Sequence, residues 1–457
     1  MKNICLVKCL LFFSIQLCFT QNSIEIQKNA ISGDADAQYE LAELLKEQSD
    51  SLHVKKQAFN WAMKSAKQGN EKAQDLLGRF YAYEPEVVEN DIQKAIYWFE
   101  KSAKKNYCHA YISLGWLYSG FFKDDKSLQI ALDWFQKGIE LNCLSVMEAL
   151  GSMYLYDERL PNRLENGLKW IEKAANLGDV YAQYTLGGFY DYPEYASEGL
   201  NLKQDVKKAI YWYEKAAKNN DIGSMYFLAS ILDKEEHTTV YSIKKANFWY
   251  KKAADLDNVS SQYQFGLNAF NGKGVERNID EGLKYLRLAG HNDDYFAQEA
   301  LGIIYCSGLN IEKDVQVGWY WLDKLINNED SYASIRVVDL AKEYLKENTD
   351  FTIQLYTKSA LKGNSTAQNN LGVIYLDGNV VIQDIEKAKY WLNMAVKSGS
   401  EMALENLKIA ESLTLKDDSE LHSLINTLYA KYYENEGNFT LAIKKYKEVN
   451  KNLEETI

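Results

Sequence analysis

Residues able to carry chemistry are few in this chain and poorly spaced for it. Its five histidines, His53, His109, His237, His291 and His422, are dispersed, and none pairs with another at metal-ligand spacing. Glu235-Glu236-His237 lacks the second histidine of a zinc-protease helix. Gly272-Lys273-Gly274 is glycine-rich, but a phosphate-cradling loop follows a strand, and no strand pattern precedes it. No Gly-x-Ser-x-Gly nucleophile turn occurs. The pattern therefore predicts no catalytic residue, no metal ligand and no cofactor site, with the histidines read as solvated loop residues.

What the chain does have is aromatic surface for recognition. It carries 33 tyrosines and 10 tryptophans, side chains that combine a large apolar body with a polar handle. Their placement follows an internal repeat. The segments Ala182-Gln183-Tyr184-Thr185-Leu186-Gly187 and Ala367-Gln368-Asn369-Asn370-Leu371-Gly372 share one pattern. Small residues four places before a Leu-Gly-like pair stand at Ala37, Ala73, Ala110, Val146, Ala182, Ser224, Ser261, Ala297, Ala333, Ala367 and Ala403. The spacing is about 36 residues, with one longer gap between Ala182 and Ser224. The frame at Ala333 is degenerate, with Val337-Val338 replacing Leu-Gly.

A second column keeps step with the first. Trp61, Trp98, Trp134, Trp170, Trp212, Trp249, Tyr285, Trp321, Leu355 and Trp391 occupy equivalent places, often with lysine three residues later. Both columns predict helices. Ala73, Leu77 and Tyr81 stand at i, i+4 and i+8, and Ala209, Trp212, Tyr213 and Ala216 follow the i, i+3, i+4, i+7 rule. Pro85, Pro161 and Pro193 fall between the two helices, and Gly69-Asn70, Gly178-Asp179 and Gly363-Asn364 fall in the turn to the next repeat. A glycine inside the first helix costs about 1 kcal/mol of helix propensity, which makes sense where a neighbouring helix approaches closely. One hairpin of this size cannot bury enough surface to offset its ordering entropy, so neighbouring repeats must stack.

The ends and the charge set further expectations. Lys2 and Lys8 precede a short apolar run, Leu10 to Phe19, which reads as a signal peptide over residues 1–20. The run is too short for a membrane span, and Leu17 before Cys18 departs from the lipoprotein pattern, so no lipid anchor is expected. The formal net charge is −12, and cleavage after Thr20 removes Lys2 and Lys8 but no acid. That sign argues against nucleic acid or an anionic membrane as the main partner. Cys108, Cys143 and Cys306 remain beyond residue 20, an odd number. Cys108 and Cys143 recur at nearly the same turn of consecutive repeats. Stacked helices lie about 8–10 Å apart, so two free buried thiols are expected, with a disulfide requiring local adjustment.

These columns resemble the Sel-1-like repeat family, a relative of the tetratricopeptide repeats. The frame from Ala182 to Asp221 carries most of the family pattern, including Lys208-Ala209, Trp212-Tyr213 and Lys215-Ala216-Ala217. The loop Asn271-Gly272-Lys273-Gly274-Val275 is also similar, and the resemblance runs from about residue 33 to 412. It implies an all-α, right-handed α-α superhelix of about eleven hairpins over residues 21–412. Tyr433, Gly437-Asn438-Phe439, Ala442-Ile443 and Tyr446 resemble a tetratricopeptide-type capping hairpin over residues 413–457. The cysteine pairs of one Helicobacter subfamily are missing here, so its properties do not transfer.

The resemblance implies a scaffold or adaptor that holds a protein or peptide, not an enzyme. By analogy with tetratricopeptide geometry, the second and sixth positions after each frame start line a concave face. Tyr39, Tyr184, Tyr226 and Tyr263 hold the second position and Trp116 the sixth, which makes them the candidate binding residues. The competing reading packs the tyrosines between repeats. The expected protein is exported, periplasmic or secreted. One alternative is an envelope protein binding or cleaving a peptidoglycan-like substrate. Another is a eukaryotic secretory-pathway adaptor, suggested by the sequons at Asn258, Asn364 and Asn438.

Overall fold

Asparagine and aspartate recur where each repeat must start a helix. The computed structural model describes residues 23–48, 51–122, 124–196, 202–234, 240–344 and 348–413. In it the side chains of Asn70, Asp179, Asp221, Asn258, Asp294 and Asn364 each accept a hydrogen bond from the backbone N–H three residues on. Asp91, Asp124, Asp205, Asn278, Asp314, Asn348 and Asp384 cap the second helix of their repeats in the same way. Such a cap contributes about 1 kcal/mol. The residue before the first-helix cap turns left-handed: Gly69, Gly178 and Gly363 there have φ of 97°, 101° and 94°, and Asn220 holds the same place at 65°.

First helices begin at Ala35, Glu71, Cys108, Leu144, Val180, Ile222, Val259, Tyr295, Ser331, Ser365 and Glu401. All but the last are followed by a described second helix, and a further helix spans residues 23–32. A short 3₁₀ turn, Pro193–Ala196, sits in the long loop, and among the described residues there is no strand. The fold is the all-α array of paired helical hairpins that the repeat predicts. No described helix is long and apolar enough to cross a membrane. The chain divides into two units, residues 1–249 and 250–457. The expected signal peptide, residues 1–20, and the expected cap beyond residue 413 lie outside the described residues.

Within each unit the frame residues form the spine of the core. All eleven, from Ala37 to Ala403, are buried. The next residue is often glutamine, and its amide closes one repeat onto the next. Gln74 Nε2 donates to the Ala66 carbonyl at 3.2 Å, Gln183 to Ala175 at 2.9 Å, Gln298 to Gly290 at 3.0 Å and Gln368 to Ala360 at 2.9 Å. Each bond reaches a carbonyl in the last turn of the preceding second helix, and those of Ala66, Ala175 and Ala360 also accept a backbone N–H from the turn that follows.

The glycine of the Leu-Gly pair has the role its helix cost suggests. The residue that follows the tryptophan column lies against it: Phe99 on Gly78, Phe135 on Gly115, Ile171 on Gly151, Tyr213 on Gly187 and Leu392 on Gly372. The tryptophans themselves are less buried, and lysine three residues on covers them. Lys64 Nζ stands 3.9 Å from the Trp61 ring, Lys137 4.1 Å from Trp134 and Lys215 4.9 Å from Trp212. The lysine column is thus a cation–π cover for the half-buried Trp61 and Trp134 and for the buried Trp212.

A Cβ added at Gly78 would come within 2.5 Å of the Phe99 ring. Gly78→Ala is therefore expected to destabilise the first unit by about 1–3 kcal/mol through overpacking, although alanine is the better helix former by about 1 kcal/mol. Adding Phe99→Leu should recover part of the loss in a urea-unfolding double-mutant cycle. A Gly78→Ala protein more stable than the parent would show that the helices do not need that approach.

One expectation is corrected. Cys108 and Cys143 form a disulfide, with Cα atoms 5.7 Å apart, and Cys306 is free. The separation of stacked helix axes was the wrong measure. Both cysteines sit at the start of a first helix, one as its first residue and the other as its N-cap. There the entering turns of consecutive repeats converge within bonding reach.

Candidate functional site

The second and sixth positions of a frame are four residues apart and share one side of the first helix. In the first unit three consecutive first helices turn that side toward one groove of about 690 Å³. Helix Cys108–Phe121 contributes His109, Ile112 and Trp116. Helix Leu144–Tyr156 contributes Ser145, Glu148, Ala149, Ser152 and Tyr156. Helix Val180–Asp191 contributes Tyr181, Tyr184, Thr185, Gly188 and Phe189. Relative to each frame start these are mainly the −1, +2 and +6 places, one stripe per helix. Ser152 and Gly188 are small where Trp116 is large, which keeps the sixth-position row from filling the groove.

Two of the five candidate residues meet here. Trp116 stands half-buried, edge-on to Phe135 with ring centres 6.3 Å apart. Tyr184 is tilted against Tyr181 at 6.2 Å and against Phe227 at 6.0 Å. The other three are elsewhere. Tyr226 packs edge-on to Phe227, one repeat beyond the groove. Tyr39 joins the core of the first two repeats, with Lys72 Nζ 5.8 Å from its ring. Burial, and then Glu43, push the Tyr39 phenol up to about 12. Tyr263 belongs to the second unit and stacks on Phe296 at 5.6 Å. These three touch neighbouring aromatic or core side chains, as Tyr184 also touches Tyr213 and Phe227, but they do not line the groove.

A search of the stripe for aromatics alone passes over its carboxylates. Asp75, Glu148 and Glu299 all hold the second position, and all three are buried. Asp75 takes the Arg79 guanidinium at 3.3 Å, His109 Nδ1 at 2.8 Å and the Ser113 hydroxyl at 2.7 Å. Glu299 takes the Arg336 guanidinium, its Nε at 2.9 Å. Glu148 receives the Ser152 hydroxyl at 2.8 Å, and among the described residues no cation pairs with it. Burial, the dominant cause, raises the Glu148 carboxyl to about 7, and nearby Asp179 adds to the rise. The signal was in the sequence: these acids recur in the same register as Tyr184.

His109 is exposed but is no loop residue: it lies in the first turn of a helix, borders the groove and bonds a buried aspartate, and His53 and His291 also lie in helices. Asn258 and Asn364, two of the sequon asparagines, cap helices, and Asn364 also donates to Ser334. Asn438 lies outside the described residues. Among the described residues no three His, Cys, Asp or Glu side chains cluster as metal ligands would.

Comparison with known proteins follows this geometry closely. The model of a family described as the Sel1 repeat matches residues 35–70, 71–107, 109–143, 145–179, 180–221, 223–258, 259–294, 296–330 and 365–400. The degenerate frame at Ala333 is left unmatched, yet it folds as the same helix pair, Ser331–Tyr344 and Thr349–Leu361. A solved structure of c5321, a protective antigen present in uropathogenic Escherichia coli strains displaying an SLR fold, is 21% identical. It covers 94% of this chain and 90% of its own, with a TM-score of 0.47. A Sel1 repeat protein from Oxalobacter formigenes is 22% identical over 68% of this chain and 90% of its own, with a TM-score of 0.48. Immunity protein Pa5087 from Pseudomonas aeruginosa is 23% identical over 49% and 82%, with a TM-score of 0.34. No curated protein matches the sequence significantly.

Proposed function

We propose that this chain, which belongs to the Sel1 repeat family, is an exported scaffold that holds a protein or peptide segment in the groove of its first unit. Sel1 repeats serve protein–protein interaction, and the finer reading concerns where and how. The observation that carries it is the convergence of Trp116, Tyr156, Tyr181 and Tyr184 on one groove between three successive first helices. Trp116 stands outside the tryptophan column that builds the hairpins, and Tyr181 is 63% exposed. Clustered tyrosine and tryptophan are the side chains that dominate protein interfaces. By analogy with tetratricopeptide geometry, we read this face as the concave one.

Export is supported by two features. The N-terminal segment reads as a signal peptide, and the Cys108–Cys143 disulfide suits an oxidising compartment. The acidic charge favours a partner with basic groups.

The test is capture from native extract by the chain from Gln21 onward, beside a Trp116→Ala, Tyr184→Ala variant. A partner held by the parent should be lost or bound at least tenfold more weakly by a variant with unchanged helical circular dichroism. Equal capture by both proteins would move the site off this groove.

A further inference from the structure

The three buried acids of the stripe differ in one respect. Asp75 and Glu299 each have an arginine from their own chain, and Glu148 has only a serine hydroxyl. Its frame places Ser152 where the Asp75 frame places Arg79. Glu148 is 8% exposed, so its carboxylate is largely stripped of water without the cation that its counterparts receive. An unpaired buried charge is costly and calls for an opposite charge. The charged and titratable groups around it supply none. Asp179 is like-charged, Tyr156, Tyr181 and Tyr184 are neutral phenols, and His109 is engaged by Asp75.

The walls around the carboxylate suit a cation as well. Trp116, Tyr156, Tyr181 and Tyr184 share the groove with it, and aromatic faces attract ammonium and guanidinium groups. The chain uses that pairing elsewhere, with Lys64 over Trp61 and Lys137 over Trp134. A metal ion would want several ligands, and the groove offers one carboxylate. The groove volume, about 690 Å³, admits a side chain together with the backbone that carries it.

We infer that Glu148 is the counter-ion for one lysine or arginine side chain of an extended partner segment, seated between Trp116 and the tyrosines of the groove. This deepens the scaffold reading and rests on it. The cationic head meets the carboxylate, its methylene stem lies along the rings, and the partner's backbone follows the stripe.

The experiment uses the full chain and four blocked pentapeptides of glycine with lysine, arginine, norleucine or glutamate at the centre. Binding is read by NMR from the tryptophan indole N–H signals, with the Trp116 signal assigned by its loss in Trp116→Phe. The lysine or arginine peptide should shift that signal with an affinity about tenfold above norleucine and glutamate. Glu148→Gln, which keeps the groove's shape, should abolish the preference. Equal binding of lysine and norleucine peptides, or a preference that survives Glu148→Gln, would overturn the cation seat, as would no binding by any peptide. The scaffold reading is separated by repeating the partner capture with Glu148→Gln. Loss at Trp116 and Tyr184 but not at Glu148 would leave the groove as the interface and remove the seat.

Discussion

Replacing Cys108 and Cys143 together by serine is expected to lower the stability of the first unit by about 3–5 kcal/mol. The bond closes a loop whose ends are 35 residues apart. A crosslink over such a loop restricts the unfolded chain by an amount between the about 3 kcal/mol of a short loop and the about 5 kcal/mol of a long one. The background for the measurement is Cys306→Ser, which removes the remaining described thiol. Urea unfolding with and without reductant should show a lower midpoint on reduction, and the double-serine protein should match the reduced parent under both conditions. Curves that coincide for oxidised and reduced parent would remove the crosslink from the energetics. The position of the bond adds a functional consequence. It ties the starts of helices Cys108–Phe121 and Leu144–Tyr156, which carry Trp116 and Glu148 into the groove. Reduction should therefore weaken partner capture before it unfolds the protein.

The repeat was legible because its physics is local. Frame residues at i, i+4 and i+8 must face the core whatever lies beyond, and Ala73, Leu77 and Tyr81 are all buried. The asparagine and aspartate caps and the left-handed glycines announce most turns by residue type alone, while the turns into helices Cys108–Phe121 and Leu144–Tyr156 have left-handed Asn106 and Asn142 and no side-chain cap. The degenerate frame at Ala333 survives because Val337 and Val338 still fill the core positions. The candidate site was less legible. Which tyrosines face a groove and which pack against neighbours depends on the side chains of adjacent repeats, about 36 residues away in sequence. Tyr184 and Tyr263 hold the same register, yet one lines the groove and the other stacks on Phe296. The disulfide was missed for a related reason. Helix separation is a property of helix axes, and the cysteines lie at the turns.

Glu148 is expected to make the first unit less stable as pH rises from about 4.5 to about 7. Its carboxyl has an ordinary value of 4.5 in the unfolded chain and is raised to about 7 in the fold, chiefly by burial. Across that window the folded state holds a proton that the unfolded state has released, so raising the pH favours unfolding. The loss is absent below about pH 4.5 and complete above the folded value. At 1.36 kcal/mol per pKa unit it amounts to about 3 kcal/mol. Asp91, Asp124 and Asp157 run the other way. Hydrogen bonds hold their carboxyls low, so they contribute stability that is lost as pH falls through their folded values. The difference between parent and Glu148→Gln isolates the buried acid from them. That variant should match the parent near pH 4.5 and exceed it by about 3 kcal/mol at pH 8 in urea unfolding. A difference that stays flat with pH would mean that the groove does not desolvate the carboxylate. A seated cation should reverse the effect, because its charge favours the ionised form and lowers the folded value. Binding near pH 6 would then release a proton, detectable as heats that change with buffer ionisation enthalpy. One unpaired carboxylate is thus expected both to lower the stability of the free protein above pH 7 and to favour a cationic partner group.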